Sequence, residues 1–264
     1  MSCGGWAVAA ATLAFQALGS AHPSTLLRVP RAIVEGQAAP PLPDPKAFFD
    51  AVRQNLARSE EVQKRYAYKE RRTDLNFNPF GRLGTGRTRV VEMTPRPDGA
   101  MNRQLLERDG QPVVNSPVVR RESRMPTGRS MVDDVTSVLD VAMDRRDMLN
   151  GRPAIVVRFH GRANASPRTR EGRIARAFSG LIWIDEDAKE VATIEATASD
   201  DISFGYGMLA RLNRGSTVLV QRLPIDGDLW LPTLIRFNGE GRALLVRKLV
   251  INFAVDWFDY RRVL

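Results

Sequence analysis

From Tyr66 onward the chain is a succession of short apolar runs that alternate with polar residues, each bounded by turn-forming residues. "TRVVEMT" runs into the turn "PRPDG", and "RQLLERDGQPVV" carries an Asp109-Gly110 hairpin signal. "RPAIVVRF" places Ile155, Val157 and Phe159 on one face, and "SGLIWID", "EVATIEA", "STVLVQRL" and "LWLPTLIRF" repeat the period. In the last run, "RALLVRKLVINFAVDWFDYRR", Leu245, Leu249, Ile251, Phe253 and Val255 share one face, with Lys248, Asn252 and Asp256 on the other.

Before the strands, "DPKAFFDAVRQNLARSEEVQKRY" reads as a helix. Asp44 is suited to cap it and Pro45 to its first position, where the missing N–H costs nothing. Phe48, Phe49, Val52 and Leu56 recur at helical spacing, while Ser59 with Glu60 and Glu61 looks like a second start signal and predicts a break near residue 58. The pattern therefore predicts one helix followed by about nine to eleven antiparallel strands, with no βαβ rhythm and no internal repeat. Residues 115–136 read as a long polar loop, "ASPRTREGRIARA" as a basic loop, and "SFGYGMLARLNRGS" as holding a short helix with Met208, Leu209 and Leu212 as its apolar contacts.

The first residues add a compartment. "WAVAAATLAFQALGSA" is uncharged, apolar and too short to span a bilayer comfortably. Residues 1–21 are expected to be a signal peptide, 22–43 a flexible Pro- and Ala-rich leader, and 44–264 the folded domain. Export to the periplasm follows, with an association with the outer membrane open. Cys3 is the sole cysteine and precedes the apolar run, so neither lipidation there nor a disulfide in the mature chain is expected.

The formal net charge is +9, supplied almost wholly by arginine. The arginines are interleaved with acids, as in "RRESR" and "DRRD", and lack the aromatic partners of a single-strand binder. That composition argues against nucleic acid as a partner. With two histidines in the chain, zinc sites of the usual kinds are excluded and no cofactor is expected. A Ser-His-Asp arrangement would have to use His160, which ends an apolar strand. "GRLGTGRTR" lacks the Lys-Ser/Thr and the following helix of a phosphate loop.

Carboxylates crowd one stretch, "SGLIWIDEDAKEVATIEATASDD". Ile182 and Ile184 alternate with Trp183 and Asp185, and the return strand alternates likewise, so the stretch reads as a hairpin with Asp185, Glu186, Asp187 and Glu190 at a solvated tip. Acids so placed are poor candidates for catalysis, because a tuned catalytic acid is normally buried. The chain is not expected to be an enzyme.

"GLIWIDEDAKEVATIEA" resembles the strand–turn–strand hairpin of outer-membrane lipoprotein-sorting proteins and related periplasmic carriers. "LNGRPAIVVRF", "GDLWLPTLIRFNGEG" and "EVQKRYAYKERRTDL" are similar to other segments of that family, and the likeness covers roughly residues 45–262. It implies a mainly β fold: a single curled antiparallel sheet, a half-open β-barrel, covered by an N-terminal helix and loop helices. It also implies a lipid or lipoprotein acyl chain as ligand. On that reading Phe48, Phe49, Val52 and Leu56 cover the sheet, and Phe159, Trp183, Trp230, Leu234 and Phe237 line its concave side. The alternative is an envelope module that binds a protein partner or an anionic membrane surface and holds no internal ligand.

Overall fold

A computed structural model describes residues 41–77, 83–121, 137–204, 210–227, 229–243 and 247–263. The expected signal peptide and most of the leader, residues 1–40, lie outside these, as do Leu245, Met208 and Leu209.

Helix α1 (Pro45–Gln63) begins where expected: Asp44 Oδ1 accepts the amide hydrogen of Ala47 at 2.8 Å, with Pro45 in the first turn. It then runs unbroken through residue 58. Ser59 is not a second cap, because its hydroxyl donates to Glu190 at 2.9 Å. The chain continues into β1 (Tyr66–Phe77), β2 (Leu83–Pro95), β3 (Met101–Arg108), β4 (Gln111–Pro112), β5 (Val119–Arg121), β6 (Leu139–Leu149) and β7 (Arg152–Gly161). After helix α2 (Arg170–Arg176) come β8 (Phe178–Asp185), β9 (Val191–Ala198), β10 (Ile202–Phe204), β11 (Ala210–Leu212), β12 (Thr217–Asp226), β13 (Leu229–Ala243) and β14 (Arg247–Arg262).

The described residues thus hold fourteen strands in one sheet, more than the hydrophobic runs suggested. The additional ones are two or three residues long, too short for a period to register. Two of them, β10 and β11, pair with each other where a short helix was expected. The basic stretch read as a loop contains α2, capped by Thr169, whose hydroxyl accepts the Gly172 amide hydrogen at 2.9 Å. Of the loop expected at 115–136, β5 is an ordered part; residues 122–136 lie outside the described set.

The main path of the sheet is β4-β3-β2-β1-β14-β13-β12-β9-β8-β7-β6, antiparallel throughout and not closed into a barrel. Tight turns set the register. The β3–β4 turn puts Asp109 at φ 52° and Gly110 at φ 78°, and the β6–β7 turn puts Asn150 at 51° and Gly151 at 80°. Consecutive left-handed residues match the twist of the flanking strands, which explains Asp-Gly and Asn-Gly at these positions.

The core lies between α1 and one face of the sheet. Phe48 and Val52 are buried against Ile155, Val157, Ile182, Ile194, Ile235 and Val255. Period two selects that face, since the intervening residues of each strand point away from α1. Elsewhere α2 closes one end: a Cβ at Gly161 would stand 1.8 Å from the Arg176 carbonyl oxygen, so only glycine admits this approach.

Candidate functional site

The pairing register draws one continuous line across the helix-facing side of the sheet. Met143 stands opposite Val157, and the line continues through Ile182, Ile194, Val220, Ile235 and Val255. Beyond Val255 it changes character: Arg72 on β1, Arg89 on β2 and Arg108 on β3 stand opposite one another in turn. Seven strands contribute apolar side chains to this line and the next three contribute arginines.

On the apolar half, Phe48, Val52, Phe159 and Phe237 belong to the buried core, and Phe49 and Leu56 pack partly buried against it. Ile155, Val157, Ile182, Ile235 and Val255 are 0% exposed. Among the described residues these side chains pack against one another at the centre of this face. Trp183 and Leu234 are not on it. Each occupies the alternate position of its strand, Trp183 opposite Val156 and Leu234 opposite Gln221, and so faces away from α1. Trp230 is buried at the end of β13, its ring centroid 5.8 Å from the Arg152 guanidinium carbon, outside the main core.

Polar contacts moor α1 to the β8–β9 hairpin. Asn55 Nδ2 donates to the Ala188 carbonyl at 2.8 Å. Ser59 donates to Glu190, whose other oxygen accepts from Arg222 Nη1 at 2.9 Å. Arg222 also donates to the carbonyls of Val191 and Trp230. Both side chains of this ion pair are 1% exposed. Burial pulls the Arg222 guanidinium below its usual range and Glu190 opposes the pull.

The hairpin tip is not uniformly solvated. The alternation is as read, but Asp185 and Glu190 are buried, while Asp187 is exposed and Glu186 is half-buried. Asp185 accepts from the amides of Asp187 (3.1 Å) and Ala188 (2.8 Å) and from Arg152. Burial pushes its carboxyl up, but Arg152 and the two amides outweigh burial, and the net direction is down. Glu186 is held low by its ion pair with Arg146 at 2.6 Å. Asp185, Glu186 and Glu190 are each engaged in structural contacts.

The register also aligns Asp140, His160 and Ser179 across β6, β7 and β8. The His160 and Asp140 side chains are 66% and 45% exposed and 3.7 Å apart, and the Ser179 hydroxyl is 2.6 Å from that of Ser199. An exposed row with its serine engaged elsewhere lacks the geometry of a nucleophile activated by a base. Among the described residues no group of three or more His, Cys, Asp or Glu is placed to hold a metal ion, and no helix is long and apolar enough to cross a membrane.

The arginine end was not foreseen from the sequence. A cleft of about 580 Å³ is lined there by Asp74, Arg87, Arg89, Arg108 and Asp109. Arg72 pairs with Asp74 at 3.1 Å and lies 4.1 Å above the Phe253 ring centroid. Glu70 stands nearby on the same face; burial raises its carboxyl, against the pull of Arg103, Trp257, Arg72 and Arg121. Arg103 is lowered by burial and by the neighbouring charges of Arg121 and Arg89, with Glu70 opposing. The available signal was the i, i+2 spacing of Arg87 and Arg89, which puts both on one face of β2.

No protein-family model matches the chain, and no curated relative matches it by sequence. Among solved structures it is similar to a putative outer membrane lipoprotein-sorting protein domain from Vibrio parahaemolyticus, with 11% identity over 82% of this chain and 92% of that one and a TM-score of 0.39. It is similar to a DUF1329 family protein from Desulfovibrio piger at 14% identity, covering 82% and 92% with a TM-score of 0.34. It is also similar to a LolA superfamily protein from Nitrosomonas europaea at 12% identity, covering 80% and 93% with a TM-score of 0.33.

Proposed function

We propose that this chain is a non-enzymatic binding protein of the cell envelope, exported to the periplasm, that holds a lipid or the acyl chains of a lipoprotein between α1 and the sheet. The observation that carries this reading is the apolar face shared by seven strands and covered by one helix. Phe48, Phe49, Val52 and Leu56 on the cover, with Phe159 and Phe237 beneath it, are the proposed contacts. Trp230 marks the Arg152 end of the sheet, and Trp183 and Leu234 take no part. Each methylene placed against such a face gains about 0.8 kcal/mol. Because the centre of the face is filled at rest, α1 lifts to admit a ligand, and Ser59 and Asn55 are the contacts that resist it.

The filled centre also favours a second reading, an envelope module that docks a protein partner or an anionic membrane and holds nothing beneath α1. Native mass spectrometry after incubation with phospholipid vesicles separates the two. Bound lipid in the full chain, increased by Ser59→Ala, is the carrier result; protein free of lipid in both forms overturns it.

A further inference from the structure

Three arginines directly opposite one another repel, and the structure shows little to offset them. Like charges on facing positions of neighbouring antiparallel strands are destabilising. Arg72 has Asp74 and the Phe253 ring, but its Nη1 is buried without a hydrogen-bond partner among the described residues. Arg87, Arg89 and Arg108 are exposed and, among the described residues, form no ion pair. The two carboxylates lining the cleft are already engaged: Asp74 with Arg72, and Asp109 with the Thr88 amide at 2.8 Å. Repulsion of this kind is relieved by an anion held between the arginines.

We infer that the Arg72–Arg89–Arg108 ladder, with Arg87, is a docking site for the phosphate headgroup of an anionic membrane lipid. Guanidinium groups offer planar forks that match phosphate oxygens two at a time. The cleft is of a size for a small group. Two further features favour a membrane over an acidic peptide. The ladder adjoins apolar Val255 and Phe253, so the positive charge is confined to a few strands and does not run as a stripe. The chain that follows β4, whose Gln111 stands opposite Arg108, exposes Val114 (80%) and, farther along β3, Val118 (55%) and Val119 (50%). Basic residues next to exposed apolar ones are what a peripheral membrane contact requires. The site builds on the module reading and stands whether or not lipid enters beneath α1.

The test is co-sedimentation of the full chain with phosphatidylcholine vesicles, with and without phosphatidylglycerol. Binding is expected only when phosphatidylglycerol is present. Arg89→Gln with Arg108→Gln should weaken it by about tenfold or more. A control removing the same charge elsewhere, Arg173→Gln with Arg236→Gln, should leave it nearly unchanged. Arg89→Lys with Arg108→Lys keeps the charge and removes the forks; it should fall between these, and it supplies the test should the glutamine pair not fold. Equal losses from ladder and control, binding indifferent to phosphatidylglycerol, or full displacement by an equal concentration of inorganic phosphate would each overturn the proposal. Lipid occupancy beneath α1 is read separately by mass spectrometry, so failure of one reading is not failure of the other.

Discussion

Glu190→Ala is the substitution with the largest expected cost to the fold. The side chains of Glu190 and Arg222 are both 1% exposed, and Ser59 donates a further hydrogen bond into the pair. Removing the carboxylate leaves a guanidinium buried among apolar strands with the carbonyls of Val191 and Trp230 as its acceptors. Breaking one partner of such a pair costs about 3–5 kcal/mol, whereas replacing both with apolar residues of similar size is often nearly neutral. Glu190→Ala should therefore lower the urea midpoint by about 1–2 M, and Glu190→Met with Arg222→Met should recover most of the loss. Ser59→Ala alone should cost about 1–2 kcal/mol, and almost nothing further in the Glu190→Ala background, because the two side chains share one bond. The assay is urea unfolding followed by both circular dichroism and tryptophan fluorescence, so that coincident transitions justify the free energies. A loss below about 1 kcal/mol for Glu190→Ala, or strict additivity with Ser59→Ala, would refute the account of α1 as moored through this pair.

Three further outcomes are expected. Asp185 has a lowered carboxyl pKa in the folded chain, so its contribution to stability is present above the ordinary aspartate range near 4 and is lost as pH falls through the depressed value. Asp185→Asn should lower stability at neutral pH and flatten the acid limb of a plot of melting temperature against pH; an unchanged limb would count against it. Gly161→Ala should destabilise by about 1–3 kcal/mol or more, because its Cβ would collide with the Arg176 carbonyl and push α2 off β7; a neutral melting curve would show that the contact yields. Arg89→Gln with Arg108→Gln should raise the melting temperature at low ionic strength, with the gain shrinking as salt is added, since screening already weakens the repulsion; a gain independent of salt would point to another cause.

The elements most visible in the sequence are those whose signal is local. Asp44, Pro45 and the spacing of Phe48, Val52 and Leu56 announce α1, and Asp109-Gly110 announces a turn. The strands with clear alternation are found, including both arms of the hairpin around Asp187. What escapes is fixed by partners distant in the chain. Asp185 and Glu190 look solvated because their neighbours are polar, yet Arg152 and Arg222 reach them from 33 and 32 residues away. Ser59 resembles a cap until Glu190 takes its hydroxyl. Trp183 and Leu234 were expected on the concave side for their size, although alternation with Ile182 and Ile235 already set them on the other face. The arginine ladder depends on the registers of three strands at once, and only the Arg87–Arg89 spacing hints at it.

The position of β14 has a kinetic consequence. The last strand in the chain lies near the middle of the sheet, between β1 and β13, and joins the first strands to the rest. Until it pairs, the hairpins of β1–β3 have no neighbour through which to reach the β6–β13 half. This pairing of residues nearly two hundred positions apart, such as Tyr66 with Arg262, raises the contact order and places a large loop-closure cost before the final step. Assembly should accordingly be slow, with the two halves collapsing separately and β14 closing the gap between them.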